Sequence, residues 1–325
     1  MTALPEFVPC LMPEGNLPSA SPDYDRLPQK PRETQCGPQD TACAEPATDK
    51  NLARLMAEVA AQRDGISPAL DELIRLTELL AVDDHYEPVR RDFALPRHFL
   101  LTVLIPVYNE AATIQRVIAQ VAALPIPKEI IVVDDGSTDG TRQVLAELEV
   151  AHNLHVLYKP VNEGKGAAIR SGLRRARGDV VVIQDADLEY DPRDILKLVK
   201  PIVRGEADVV YGSRFLTHDA RNSPWFHRLG NQLLTAFSNA LTGLALTDME
   251  TAYKAFRRDL IDELPIAQPR FGFEPEITAR IARRGWRLCE VPVHYAPRSY
   301  AQGKKIGLKD LFSTLYCILR YSLWD

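Results

Sequence analysis

The sequence contains no uninterrupted run of about 18 apolar residues, the length that a membrane-spanning helix requires, so we expect no transmembrane helix. Its first residues, MTALPEFVPCLMPEG, lack the basic and then apolar segments of a secretory signal, which favours a cytoplasmic location. The five cysteines include no C-x-x-C pair, which argues against a structural zinc site and against a disulfide scaffold. The net charge of −5 gives no electrostatic reason to expect nucleic acid as a partner.

The N-terminal part of the chain differs in composition from the rest. Residues 1–50 hold nine of the 24 prolines and few large aliphatic side chains, so we predict a disordered tail. Residues 51–95 are predicted to form a helical extension, because NLARLMAEVAAQRDG and SPALDELIRLTELLA place apolar residues at helical spacing. These helices would pack either on the domain that follows or on a second subunit of a homodimer.

Residues 96–310 alternate apolar strands with helical segments. The strand segments are nearly continuous in valine, isoleucine and leucine: LLTVLIPVY, EIIVVDD, LHVLYK, DVVVIQDAD and ADVVYGS. A helical segment follows each of the first four. This regularity predicts an α/β fold, a Rossmann-like and mostly parallel sheet with helices on both faces. Residues 311–325 are predicted to form a C-terminal amphipathic helix.

Polar residues follow each of the five predicted strands. Ligands of such sheets bind beyond the carboxyl ends of the strands. The five segments there are PVYNE (106–110), DDGSTDGT (134–141), NEGKG (162–166), DAD (185–187) and GSRF (212–215). Any one of them alone is typical of a turn with capping side chains. Together they predict one binding site that carries acids, glycines, a lysine and an arginine.

The fourth strand ends in three acidic residues spaced two apart, in VVVIQDADLEYDP. Side chains two apart project from the same side of a strand, so Asp185, Asp187 and Glu189 would crowd together and require a neutralising cation. Hard carboxylate oxygens are ligands that Mg²⁺ and Mn²⁺ prefer, and such ions complete their shells with substrate phosphates. The pattern therefore predicts a nucleotide diphosphate, with Asp134 and Asp135 near its base or ribose.

Five ordered motifs carry a resemblance to a known family. They are VLIPVYNEAATI, IIVVDDGSTDGT, NEGKGAAIRSGL, VVIQDADLEYDP and VVYGSRF. With these motifs the chain resembles the family 2 glycosyltransferases, which have the GT-A fold. The second half is similar to the dolichyl- and polyprenyl-phosphate mannose synthase group, through HRLGN, LTDMETAYKAFRR, FGFEPEI, EVPVHYAPRSY and QGKKIG.

The resemblance implies roles for particular residues. The donor nucleotide sugar would be bound by Pro106, Tyr108, Glu110, Asp134, Asp135, Lys165, Asp185, Ala186 and Asp187. The divalent ion would be held by Asp185, Asp187 and Glu189, although the group often has glutamine at the last of these positions. Arg298, Lys304 and Lys305 would fold over the donor diphosphate as a lid, and Arg214 and Arg228 would bind an acceptor phosphate.

The reaction implied is an inverting, metal-dependent transfer of a sugar from a nucleotide donor to polyprenyl phosphate. GDP-mannose and UDP-glucose are both compatible donors. A phosphate acceptor is already anionic and needs no general base, whereas a soluble hydroxyl acceptor would need one, and Glu274 or Glu276 could serve. A third alternative is a protein that binds nucleotide sugars without catalysis.

Two apolar helical stretches suggest how a lipid acceptor could be reached. The first is uncharged and places Leu233, Leu234, Phe237, Leu241 and Leu244 at helical spacing. The second, near the C-terminus, places Leu308, Leu311, Phe312, Leu315, Ile318 and Leu319 on one face, beside Lys304, Lys305, Lys309 and Arg320. Such a pattern is compatible with peripheral attachment to the cytoplasmic face of a membrane, while core packing or a dimer contact is the simpler interpretation.

Overall fold

The computed structural model of the chain describes residues 89–152, 154–216, 225–261, 263–270, 272–298 and 308–324. Within these ranges the strands are β1 (Leu101–Val107), β2 (Lys128–Asp134), β3 (His155–Tyr158), β4 (Val180–Ile183), β5 (Val209–Ser213), β6 (Lys254–Arg257) and β7 (Leu288–Pro292). The helices are α1 (Ile114–Ala122), α2 (Thr141–His152), α3 (Lys165–Leu173), α4 (Ile195–Val203), α5 (Trp225–Thr242), α6 (Arg258–Ile261), α7 (Phe273–Arg284) and α8 (Leu308–Leu323).

These strands form one sheet in the order β3-β2-β1-β4-β6-β5-β7. Neighbouring strands are parallel except at β6, which runs antiparallel to both β4 and β5. The chain proceeds from β1 outward to β2 and β3, and then returns to place β4 on the other side of β1. This reversal opens a crevice beyond the carboxyl ends of β1 and β4, where ligands of open α/β sheets bind.

Helices cover both faces of the sheet, as the apolar strands require. All seven residues of β1 are buried, and alternate side chains enter different cores. Val103 and Ile105 pack in the core that contains helices α1, α2 and α4, whereas Leu104 packs in the core that contains α3, α5 and α7. The predicted α/β class with a mostly parallel sheet is thereby confirmed.

Two glycines of the NEGKG segment allow another loop to pass close to it. Gly164 has φ +106°, a left-handed conformation that side chains rarely adopt. A Cβ atom at Gly164 would collide with the carbonyl oxygen of Pro269, and one at Gly166 with the carbonyl oxygen of Gln268. The backbone N–H of Ala167 donates to Pro269 O at 3.1 Å. The glycines therefore let the 268–269 loop pack on the start of α3.

Three predictions concern the two ends of the chain: the disordered tail, the helical extension and the C-terminal helix. The predicted tail, 1–50, and residues 51–88 of the predicted extension lie outside the described residues. Residues 89–95 form neither helix nor strand, and Phe93 is buried in the core. At the other end, α8 begins at Leu308, three residues before the predicted start at 311. No helix in the described part of the chain is both long enough and apolar enough to cross a membrane.

Candidate active site

The acidic ends of β1 and β4 meet at the rim of the sheet, and one arginine from the segment after β7 lies between them. The Arg298 guanidinium donates to the Glu110 carboxylate at 2.9 and 3.0 Å and to Asp187 Oδ2 at 2.7 Å. Its Nε lies 3.7 Å from Glu189 Oε1. A cation does neutralise these carboxylates, as the spacing requires, and in this structure it is a guanidinium.

Glu189 is fixed by the same segment. Tyr295 donates its hydroxyl hydrogen to Glu189 Oε2 at 2.7 Å, and the backbone N–H of Arg298 donates to Glu189 Oε1 at 3.0 Å. The turn between the acids uses a left-handed residue, Leu188, with φ 61°. Within it, the backbone N–H of Glu189 donates to Asp187 Oδ1 at 3.1 Å. The three acids are therefore held in a defined arrangement rather than on a free loop.

The negative charge on Asp187 is destabilised by its surroundings. Burial is the largest cause, and the neighbouring charges of Asp185 and Glu189 add to it, so the pKa of Asp187 rises to about 7 despite the opposing effect of Arg298. A divalent cation at this position would relieve the repulsion more fully than one guanidinium does.

Asp185 faces a different cation, the first residue of α3. Lys165 Nζ lies 2.8 Å from Asp185 Oδ1 and 3.7 Å from Glu274 Oε1. Burial opposes the charge on Lys165, but Asp185 and Glu274 outweigh it and hold the pKa of Lys165 above its ordinary value. Lys165 thus links the tip of β4 to the first turn of α7.

Carboxylate oxygens are the appropriate donors for Mg²⁺ or Mn²⁺, and Asp185, Asp187 and Glu189 supply them within one turn, so the chemistry of this set fits a divalent ion. Within the described ranges, however, no three metal-ligating side chains are gathered as a coordination group. The contacts with Lys165 and Arg298 explain this, because each directs a carboxylate toward itself. The assignment of these acids as metal ligands stays a prediction.

The acids after β2 stabilise their own loop. Asp134, which is fully buried, accepts from Ser137 N at 3.2 Å and from Arg142 Nε at 2.7 Å. Asp135 accepts from Gly164 N at 2.6 Å and forms an ion pair with Lys159. These contacts join the DDGS turn to the NEGKG segment. The contact of Asp134 and Asp135 with the base or ribose of a nucleotide remains a prediction.

The other predicted donor residues surround the same crevice. Pro106 is buried within β1, while Tyr108, just beyond the strand, is 46% exposed. Ala186 is buried, and its carbonyl oxygen accepts from Thr113 Oγ1 at 2.7 Å. Lys304 and Lys305, the predicted lid lysines, lie outside the described residues.

Arg214, predicted to bind an acceptor phosphate, is paired with an acid that the sequence did not single out as its partner. Arg214 Nε donates to Asp248 Oδ2 at 2.6 Å and Nη2 to Asp248 Oδ1 at 2.7 Å. Asp248 is fully buried and also accepts from Asn231 Nδ2 at 3.0 Å. The guanidinium is thereby held in one orientation at the end of β5. Arg228 lies on α5, and its buried Nε has no hydrogen-bond partner among the described residues.

Three further charged residues lie beside this site: Glu250, Lys254 and Glu274. Lys254 is fully buried on β6, where its Nζ donates to the carbonyl oxygens of Met249, at 3.0 Å, and Thr251. Burial lowers the pKa of Lys254 to about 8, against the attraction of Glu274 and other acids. Burial and the charge of Glu274 raise the pKa of Glu250 to about 8. The sequence suggested Glu274 only as a possible base, and nothing in its pattern indicated that Glu250, which is half-buried, would have an enclosed carboxylate oxygen.

The pKa of Glu250 predicts how stability changes with pH. A carboxyl whose folded pKa lies above its ordinary value of 4.5 contributes stability that is complete below pH 4.5 and is lost as pH rises to about 8. Glu250→Gln removes this loss because glutamine stays neutral. We expect the melting temperature of the variant to exceed that of wild type by a margin that widens from pH 5 to about pH 8 and then stays level. A margin that is constant across thermal melts in this range would contradict the burial argument.

The fold and this rim define a glycosyltransferase of the GT-A type, and comparisons with known proteins agree. The sequence matches the family described as Glycosyl transferase family 2 over residues 102–265. It is 34% identical over 224 residues to an undecaprenyl-phosphate 4-deoxy-4-formamido-L-arabinose transferase of Aeromonas hydrophila, a match that covers 67% of this chain and 66% of that protein. The chain belongs to glycosyltransferase family 2.

Solved structures are similar in fold. Glucosyl-3-phosphoglycerate synthase of Mycobacterium tuberculosis, in a complex with Mn²⁺, UDP-glucose and phosphoglyceric acid, has a TM-score of 0.56 at 23% identity, covering 72% of this chain and 86% of that one. The same enzyme with Mn²⁺, UDP and phosphoglyceric acid has a TM-score of 0.53 at 23% identity, covering 77% and 83% of the two chains.

Proposed function

We propose that this glycosyltransferase moves a sugar from a nucleotide-diphosphate donor to a polyprenyl phosphate, with inversion and with the help of Mg²⁺ or Mn²⁺. The observation that carries the proposal is the position of Arg298 among the carboxylates of Glu110, Asp187 and Glu189. A group of carboxylates at the carboxyl ends of β1 and β4 that is already neutralised by a cationic side chain suits a metal-bound diphosphate.

Asp185, Asp187 and Glu189 would hold the divalent ion, which supplies positive charge to the departing diphosphate. Arg298 would then leave these carboxylates and donate to diphosphate oxygens, for which a guanidinium fork is well suited. Lys165 would remain beside Asp185 and keep that carboxylate ionised. The divalent ion would thus replace Arg298 on the carboxylates, and the diphosphate would replace the carboxylates as the partner of Arg298. The negative charges of the site would therefore stay neutralised.

The acceptor side is supported by Arg214 and by the relative's printed name, which specifies undecaprenyl phosphate. Asp248 and Asn231 orient Arg214 at the end of β5, and Arg228 has an unpaired Nε in the part of α5 whose side chains the structure describes. A phosphate oxygen that attacks the sugar opposite the leaving diphosphate carries its own negative charge. It needs arginines for orientation rather than a base.

An exposed apolar surface supports access to a lipid acceptor. Helices α5 and α8 pack together, and α8 buries Thr314, Cys317, Ile318 and Tyr321. The neighbouring side of α8, the residue that follows it and the start of α5 leave apolar side chains exposed: Leu229, Leu233, Phe312, Tyr316, Leu319, Leu323 and Trp324. The predicted single stripe on α8 is therefore divided, since Ile318 is buried while Phe312 is 69% exposed. We assign this apolar surface to contact with the lipid interface.

The membrane assignment can be tested by flotation. The chain is expected to float with vesicles that contain anionic phospholipid, and Phe312→Ser with Leu319→Ser is expected to reduce the bound fraction, because apolar insertion drives the binding. Thr314, which is buried, is left unchanged so that the packing of α8 is kept. Equal flotation of the wild type and the double variant would contradict the assignment.

A soluble hydroxyl acceptor is the second candidate. Glu276 is not free to act as the base, because its carboxylate accepts from Ala267 N, Gln268 N and Arg280 Nε at 2.8, 2.7 and 3.1 Å. Glu274 keeps one buried oxygen without a hydrogen-bond partner in the described residues. This observation makes Glu274 the remaining candidate for a base.

The proposed function is tested by supplying UDP-glucose or GDP-mannose with Mn²⁺ or Mg²⁺ and comparing a short polyprenyl phosphate with soluble sugars as acceptors. We expect a lipid-linked product of inverted configuration, and no product when the metal is chelated. Transfer only to soluble sugars would favour the second candidate. Binding of nucleotide sugars without turnover would favour a non-catalytic protein.

A further inference from the structure

A group of charged residues, two of them buried and one half-buried, lies behind the rim and has no role in the proposed transfer to polyprenyl phosphate. It consists of Glu250, Lys254 and Glu274, and it is joined to the rim through Lys165. Glu250 precedes β6, Lys254 lies on β6, and Glu274 lies in the first turn of α7. We call these three residues the buried charge cluster.

Glu274 carries an unsatisfied hydrogen-bond acceptor. Its side chain is only 7% exposed, and Oε1 lies 3.7 Å from Lys165 Nζ. Oε2 is enclosed and has no hydrogen-bond partner within the described residues. Leaving a buried polar group unpaired destabilises the folded protein, so such an oxygen is expected to receive a donor in the working state of the protein.

Glu250 presents a second oxygen of the same kind. Its Oε1 is buried and lacks a hydrogen-bond partner in the described part of the chain. The loop that carries Glu250 is tied to β6, because Lys254 Nζ donates to the carbonyl oxygens on either side of Glu250, those of Met249 and Thr251. The ammonium group also lies 4.1 Å from the centre of the Tyr211 ring. The two acceptors are therefore preformed.

The buried charge cluster lies between the two halves of the proposed site. On one side, Glu274 is connected through Lys165 to Asp185, the first acid of the DAD segment. On the other side, the charges that act on Glu250 include those of Arg214 and Asp248 at the end of β5. A transferred sugar must lie between the donor diphosphate and the acceptor phosphate, and Glu274 and Glu250 interact with residues proposed to bind each of these two groups.

The charges of the region balance without a ligand. The raised pKa of Glu250, about 8, keeps this carboxyl group neutral near pH 7. Three negative side chains then balance three positive ones: Asp185, Glu274 and Asp248 against Lys165, Lys254 and Arg214. A cationic group would upset this balance. Uncharged hydroxyl groups fit it, because they can donate to both free oxygens.

We infer that Glu274 and Glu250 bind the transferred sugar of the donor by accepting hydrogen bonds from its hydroxyl groups. This inference rests on the proposed function, and it assigns donor-sugar recognition to the buried charge cluster. Lys254 acts as a positioning residue, since it holds the backbone on both sides of Glu250.

The test compares a nucleotide with its sugar-bearing form. Affinities for UDP, UDP-glucose, GDP and GDP-mannose are measured by calorimetry with Mn²⁺ on the full chain. Glu274→Gln is expected to weaken binding of the sugar nucleotide by about tenfold and to leave binding of the free nucleotide unchanged, because one charge-assisted hydrogen bond to the sugar is weakened. Glu274→Asp, which keeps the charge beside Lys165, is expected to show the same selective loss.

Glu276→Gln is the matched control, two residues along the same helix. Its carboxylate is already bonded to two backbone N–H groups, so it is expected to lower the melting temperature without changing the ratio of the two affinities. Equal losses for nucleotide and sugar nucleotide in both Glu274 variants, or no loss in either, would overturn the inference. If the Glu274 variants lose turnover while their affinities for the free nucleotide and for the sugar nucleotide stay unchanged, the inference is overturned and Glu274 is instead the base. A wild-type chain that binds none of the four compounds would overturn the proposed function as well.

Discussion

Replacing Asp187 by alanine is expected to lower the rate of sugar transfer about a thousandfold, since the charge stabilisation supplied by a bound divalent ion amounts to several kcal/mol, and ~4 kcal/mol corresponds to that factor. The variant loses the central acid of the rim, which accepts from Arg298 at 2.7 Å. The rate is measured with the donor and acceptor that the wild type uses, at saturating Mn²⁺.

Protein stability separates this effect from misfolding. The pKa of Asp187 is raised to about 7 chiefly by burial and by Asp185 and Glu189, so its charge opposes folding at neutral pH when no metal is bound. The melting temperature of metal-free Asp187→Ala is therefore expected to be no lower than that of wild type. Asp259→Ala is the control, because Asp259 is an exposed acid paired with Arg257. Turnover by Asp187→Ala at the wild-type rate would remove the proposed metal role.

Replacing Asp248 by alanine is expected to destabilise the chain by about 3–5 kcal/mol, because it leaves a buried arginine without its partner. The Arg214 side chain is 16% exposed and Asp248 is fully buried. The free energy of unfolding is measured by urea denaturation. Asp259→Ala again serves as the control and should cost about 1 kcal/mol or less, as exposed ion pairs do.

The double variant Arg214→Met with Asp248→Leu distinguishes charge from packing. Removing both charges is expected to recover much of the stability lost in Asp248→Ala, since buried pairs can often be replaced by apolar residues. Transfer to polyprenyl phosphate is expected to stay low, because Arg214 is lost. A double variant as unstable as Asp248→Ala would show that the pair contributes through packing rather than charge.

Much of the sheet could be predicted from the sequence because its parallel strands are continuous apolar runs. Strand β6 could not be predicted from the sequence. Its segment KAFR places two cationic residues in four, a pattern that normally indicates a solvent-exposed segment. It is buried because Lys254 finds backbone carbonyl oxygens and the Tyr211 ring inside the core. Tertiary contacts thus decided the structure of a segment whose local pattern pointed elsewhere.

The acids of the site were predictable and their partners were not. The spacing of Asp185, Asp187 and Glu189 indicated a cation, but Arg298 is 111 residues from Asp187, and local pattern carries no information over that distance. The burial of Glu274 and the half-burial of Glu250 likewise depend on tertiary packing that local pattern does not encode. The sequence pattern predicts a ligand site at the NEGKG glycines, and the structure adds the passage of the 268–269 loop as a reason for their small size.

The central claim is that the carboxylates now occupied by Arg298 bind a divalent ion together with the donor diphosphate. A crystal structure with Mn²⁺ and the nucleotide that the chain binds, located by the anomalous scattering of manganese, tests it directly. We predict a manganese peak beside Asp187, with the guanidinium moved from that acid onto the diphosphate. Nucleotide bound elsewhere, or a guanidinium still on Asp187 with no manganese at the rim, would contradict the account.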